Sequence, residues 1–128
     1  MIATHLADAS AWAQLHRNDV AARLVPLLVG GGAATCAVID LEVLATFDDP
    51  TARAEATAER AMFPRVPVDD AVLDRAVQVQ GLLEERVPTV ALVVAAAAEL
   101  AGLVLLHHDD AYDHIAAVTR QPVERIVP

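Results

Sequence analysis

The sequence predicts an α/β fold, a three-layer α/β/α sandwich around a mainly parallel central sheet. Three observations carry this reading. Short apolar runs alternate with helical patterns along the whole chain, as strands joined by crossover helices require. The chain is 55% apolar but only 3% aromatic, so its core is aliphatic and alanine-rich, suited to helices packed closely on a sheet. No repeat or linker breaks the pattern, and 128 residues suit one domain, 1–128, with a real core.

Each element has its own signal. "IATHLA" (2–7) reads as the first strand, ending at Asp8. "SAWAQLHR" (10–17) reads as a helix, with Trp12 and Leu15 spaced i, i+3. Asn18 or Asp19 can cap the next helix, "VAARLVPLLV", which stops at Gly30-Gly31-Gly32. "AATCAVID" crosses a short strand into the helix "DLEVLATF". Asp49-Pro50 opens a further helix, with proline at an early position, and "RVPV" is a short strand.

The clearest amphipathic helix is 69–86, with Val72, Leu73, Ala76, Val77, Leu82 and Leu83 on one face and acids crowding its first turn. "TVALVVAAAAELA" (89–101) is apolar nearly all round and so a buried helix, with Thr89 as N-cap and Gly102 as its stop. "LVLLH" (103–107) is a buried strand, "DAYDHIAAVTR" a helix and "VERIV" a last strand.

Composition narrows the function. The formal net charge of −9 argues against a broad basic surface for nucleic acid. It suits carboxylates gathered around a divalent cation, or a basic protein partner. Cys36 is the one cysteine and cannot form an internal disulfide. The N-terminus lacks a basic leader region and carries Asp8 where an apolar one should run, so a cytosolic protein is expected. The apolar stretch from Val87 to Leu106 is interrupted by Pro88, Glu99 and Gly102, which fits a buried helix and strand better than a membrane span.

In parallel sheets chemistry collects at the carboxyl ends of the strands. Asp8 ends the first strand, Asp109 ends the "LVLLHH" strand, and Glu42 lies in the helix after "AATC". A buried carboxylate at Asp8 needs a partner or a metal, or else Asp8 is simply a helix cap. Glu42 is a site acid or a solvated helix glutamate. Asp40 lies about 200° round the helix from it, so the two cannot face the same way. In "HHDDAYDH", Asp109 and Asp113 are i, i+4 and share a helix face, with Asp110 and His114 on the adjacent one. Aspartates at a helix start are the plain alternative. No HxxxH or CxxC suggests zinc, and carboxylates favour Mg²⁺ or Mn²⁺. His107, His108 and His114 are read without a ligand role. P-loop, dinucleotide and nucleophile-elbow motifs are missing, and Cys36 has no basic neighbour to activate it.

Five segments in order, "LADASAW", "TCAVIDLEVLA", "VPVDDAVLDRAVQVQGLL", "LVVAAAAELAGLVLLHHDDAYDHIAAVT" and "QPVERIV", resemble the PIN-domain family, and within it the VapC-type toxins of bacterial toxin–antitoxin pairs. The resemblance covers essentially the whole chain. It implies a PIN-like fold and a ribonuclease with a Mg²⁺ or Mn²⁺ site of three or four acids. By that resemblance Asp8, Glu42 and Asp109 are the metal and catalytic acids and Ser10 the accompanying hydroxyl. The family's further acid, two residues after Asp109, is here Ala111, with Asp110 and Asp113 standing nearby as supporting acids. The resemblance also implies a homodimer and an antitoxin that covers the acidic groove.

One departure matters. Where the family carries an aspartate at the start of the buried helix, this chain has Ala91. Either the acid has been lost naturally or it has been replaced deliberately to disarm a toxin. Both predict weak metal binding and little cleavage. The alternative is a naturally non-catalytic PIN-like module that only binds a partner.

Overall fold

The computed structural model describes residues 2–127. Among them the chain orders as β1 (His5–Ala7), α1 (Ala9–Trp12), α2 (Asn18–Val29), β2 (Ala33–Ala34), α3 (Ala37–Leu44), α4 (Pro50–Arg60), α5 (Asp70–Gln80), α6 (Thr89–Ala101), β3 (Val104–His107), α7 (Asp110–Thr119) and β4 (Val123–Arg125). The four strands form one sheet in the order β2-β1-β3-β4, every pairing parallel. Leu6 pairs with Leu105 and Ala7 with Leu106, so the two central strands are in register.

Side chains alternate across the sheet and divide the core. Leu6 and Leu105 pack with residues of α3, α5, α6 and α7 on one face. Ala7 and Leu106 pack with Ala11, Val20 and Leu24 of α1 and α2 on the other. This is the α/β/α sandwich that the sequence predicts. The alanine run of α6 explains its position: Ala91, Leu92 and Val94–Ala98 are all buried, and small side chains let this helix lie close against its neighbours. Gly102 ends α6 at φ +70°, a conformation that favours glycine. The Leu103 and Gly102 amides then donate to the Ala98 and Glu99 carbonyls.

Several expected elements differ. The helix expected over 10–17 is the single turn α1, followed by turns. "RVPV" makes only a bridge from Arg65 to Thr35 rather than a strand, since Pro67 has no amide to donate. The helix expected over 69–86 ends at Gln80 with Gly81 as its cap. Its buried stripe is Val72, Ala76 and Val79, while Val77 is 69% and Leu82 55% exposed. Leu73 and Val77 sit one position round from that stripe, on the flank of the helix. The N-cap of α6 is Pro88 rather than Thr89, so Ala91 is the third helical residue and not the second. Asn18 is the first residue of α2, whose cap position is Arg17.

Chain order runs from β1 outward to β2, then back across β1 to β3 and β4. Connections therefore leave β1 in one direction and reach β3 from the other. A crevice opens at such a reversal, beyond the carboxyl ends of the two strands. Asp8 and Asp109 stand at those ends.

Candidate active site

Asp8 follows β1 in extended backbone (φ −65°, ψ 158°) and caps α1. It is also 4% exposed, so it is both a helix cap and a buried acid. Its desolvation is offset by three donors. The Ser10 amide and hydroxyl reach Oδ2 at 3.0 and 2.6 Å, and the Tyr112 hydroxyl reaches Oδ1 at 2.8 Å. Ser10 Oγ in turn accepts the His108 amide at 2.9 Å, which ties the end of β3 to the end of β1. Tyr112 is 2% exposed, and burial, then the Asp8 carboxylate, pushes its hydroxyl well above the ordinary tyrosine value. It stays protonated and remains a donor.

Asp109 caps α7 from extended backbone (φ −149°, ψ 125°), with Oδ1 accepting the Ala111 amide at 2.9 Å. Glu42 projects from α3 into the same space. Glu42 is a solvent-exposed residue, yet partial desolvation first, and then the Asp8 and Asp109 carboxylates, raise its carboxyl above the ordinary value. Asp8, Ser10, Glu42, Ala91, Asp109 and Tyr112 line one cavity of ≈ 390 Å³, walled by Ala9, Ala13, Pro88 and Val90. A second cavity of ≈ 310 Å³, lined by Trp12, Phe47 and Arg60, shares Ala9, Ala13, Glu42 and Thr46 with it.

The remaining acids of the cluster go elsewhere. Asp110 and Asp113 both accept from Arg125 on β4 and do not line the acid cavity. The expected shared face of Asp109 and Asp113 is corrected: Asp109 is a cap outside helical geometry, so i, i+4 spacing does not align the two. Asp40 faces away from Glu42, as the helical angle requires, and pairs with Arg60 and Arg65. Cys36 is buried, and burial pushes its thiol up, so it is inert.

Sequence reasoning missed Tyr112. Its signal was its rarity: the chain has one Trp, one Tyr and two Phe. Tyr112 lines the acid cavity, Trp12 and Phe47 line its neighbour, and Phe63 stacks on Trp12 at 5.7 Å. The Tyr, Trp and Phe side chains thus line or adjoin the two neighbouring cavities.

The donor set is all oxygen, which suits Mg²⁺ or Mn²⁺. Among the described residues no three His, Cys, Asp or Glu side chains are grouped to hold an ion. Asp8, Glu42 and Asp109 line the cavity and would be the carboxylates to hold such a cation.

The PIN domain profile matches residues 6–118. The chain belongs to the PIN-domain family. This PIN domain is 38% identical to Ribonuclease VapC18 of Mycobacterium tuberculosis (strain ATCC 25618 / H37Rv), over 94% of the chain and 93% of that relative. It is 35% identical to Ribonuclease VapC21 of Mycobacterium tuberculosis (strain CDC 1551 / Oshkosh), over 99% of the chain and 96% of that protein. Its fold is shared with a chain from the DNA-bound VapBC structure of Salmonella typhimurium, at a TM-score of 0.80 and 12% identity, covering 98% of this chain and 99% of that one. Among the described residues of the PIN domain no helix is long and apolar enough to cross a membrane.

Proposed function

We propose that this PIN domain is a VapC-type endoribonuclease toxin whose site is weakened by Ala91. The observation that carries the reading is the cavity itself. Asp8, Glu42 and Asp109 face it from three elements at the strand-order reversal, and Ala91 lines its wall. VapC18 and VapC21, ribonucleases by name, support the reaction class. An aspartate at position 91 would stand in the first turn of α6, where the helix macrodipole favours a carboxylate.

This geometry supports the metal and catalytic roles proposed for Asp8, Glu42 and Asp109. Those three carboxylates would hold a divalent cation, Mg²⁺ or Mn²⁺, and the chemistry it would supply is Lewis-acid activation of water and charge compensation at the leaving 3′ oxygen of RNA. The chain's own residues do the rest. Ser10 and Tyr112 fix the two oxygens of Asp8, and Ser10 also holds the end of β3. Pro88, Val90 and Ala13 add an apolar, solvent-exposed rim to the cavity. Asp110 and Asp113 act at a distance from the cavity.

An acidic hole beside an apolar, aromatic-lined cavity also complements a segment that carries a basic residue on an apolar helix. The cognate antitoxin is proposed to occupy it, in line with the toxin–antitoxin complexes that share this fold. A homodimer in the cytosol completes the proposal. The second reading, a non-catalytic partner-binding module, is favoured by Ala91 and by the lack of a ready three-acid cluster among the described residues.

The Ala91→Asp protein, assayed on RNA with and without EDTA, separates the two. We expect cleavage at least about 100-fold above the unsubstituted chain, in keeping with restored charge stabilisation, and its loss in EDTA. Equal inertness of both chains would leave only the binding module.

A further inference from the structure

Asp109 is held at the lip of the cavity by a contact from outside the acid cluster. Its backbone amide donates to Nδ1 of His107 at 3.2 Å. His107 is fully buried at 0% exposure. A ring nitrogen that accepts a backbone N–H carries no proton, so acceptance at Nδ1 places the ring proton on Nε2. Nε2 faces the Asp113 Oδ1 at 3.4 Å, off the axis of a well-aligned hydrogen bond, and has no other partner. The other oxygen of Asp113 is drawn to Arg125. On its flank the ring packs against Tyr112, centroids 5.3 Å apart, whose hydroxyl serves Asp8.

A leucine would fill the same space without burying an imidazole, whose unaligned N–H is costly in a core. The polar ring is therefore explained by what it touches. We infer that His107 is a positioning residue, whose Nδ1 fixes the Asp109 backbone at the cavity while Asp113 faces its other nitrogen. The purpose of this arrangement rests on the ribonuclease reading, but its geometry does not. It also gives Asp113 a part in the site without contact with the cavity.

The test uses the full chain and three readouts. Ring ¹⁵N shifts of His107 report the tautomer, hydrogen exchange reports protection of the Asp109 amide, and calorimetry with Mn²⁺ reports affinity in the Ala91→Asp background. We expect the Nε2-protonated tautomer. In His107→Leu, exchange at Asp109 should rise about tenfold, as loss of one hydrogen bond predicts. Mn²⁺ affinity should fall about tenfold or more, as loss of an outer-shell partner does. His107→Asn, whose Oδ1 can accept the same i+2 amide, should stay within about threefold of the parent on both measures.

An Nδ1-protonated ring overturns the inference. So does a folded His107→Leu with unchanged Asp109 exchange. Should His107→Leu fail to fold, the tautomer and His107→Asn decide, and an unprotected Asp109 amide in His107→Asn overturns it. An Ala91→Asp protein that neither binds Mn²⁺ nor cleaves RNA sinks the ribonuclease reading instead, and the tautomer and exchange results still decide the role of His107.

Discussion

Asp40 and Glu42 stand two residues apart on α3 and have opposite surroundings. Asp40 accepts from Thr35 and from Arg60, itself 4% exposed, and pairs with Arg65. Arg60 also lies 4.6 Å over the Trp12 ring, so its charge is met on two sides. Glu42 faces two other carboxylates, and among the described residues it makes no ion pair, Arg60 of the adjoining cavity being engaged by Asp40. One acid is placed for stability. The other is placed at a cost that a bound cation would remove. One helix serves both ends because a separation of two residues turns its side chains to opposite sides.

Breaking the compensated side should have the largest effect. Asp40→Ala leaves Arg60 buried without its partner and should cost about 3–5 kcal/mol at pH 7, read by chemical denaturation. The pH dependence has a definite sign. Burial alone would raise the Asp40 carboxyl, but the bonds from Arg65, Arg60 and Thr35 outweigh it and hold the group below its ordinary 3.8. Its stabilisation is therefore present at neutral pH and is lost as pH falls through that depressed value. The gap between the parent and Asp40→Ala should narrow in strong acid. A gap that stays constant there would mean the network is not ionic in its effect.

On the uncompensated side, Ala91→Asp adds a further acid to the crowd. In EDTA it should lower stability by about 1 kcal/mol, partly offset by the α6 macrodipole. Mn²⁺ at about 100 times its Kd should then add about 2.7 kcal/mol, seen as a rise in Tm. A Tm that ignores Mn²⁺ would show that the restored acids do not converge on an ion. Tyr112→Phe removes a buried donor to Asp8 and should cost about 2 kcal/mol, the scale of a hydrogen bond to a charged group. An unchanged denaturation midpoint would mean that Ser10 alone satisfies Asp8.

The smallest effect should come from Glu42→Gln. Its carboxyl is raised in the fold, so its charge is unfavourable above the carboxylate range. Removing it should stabilise the metal-free protein by less than about 1 kcal/mol, with the gain vanishing in acid as Glu42 protonates. A loss of stability in EDTA would instead give Glu42 a structural role.

Much of the site's frame was legible along the chain, since strand ends followed by capping aspartates have local signatures. Asp8 and Asp109 were placed that way, whereas the missing carboxylate at Ala91 was read only from the family resemblance. The choice between Asp40 and Glu42 was not legible, because α3 is apolar on most sides and Arg60 and Arg65 come from the far end of the next helix and the loop beyond it. Asp109 and Asp113 were misaligned for a local reason, since a cap residue does not obey helical spacing. His107 looked like an idle strand-end residue, and its role depends on where the Asp109 amide points.

By itself the sequence determined the alternation of strands and helices and the acids at two strand ends. Those features depend on side-chain periodicity and capping, which act over a few residues. Only the tertiary structure decided which acid is neutralised, which is left among like charges, and that Asp110 and Asp113 turn to Arg125. Those outcomes depend on partners brought together by the parallel sheet from distant parts of the chain.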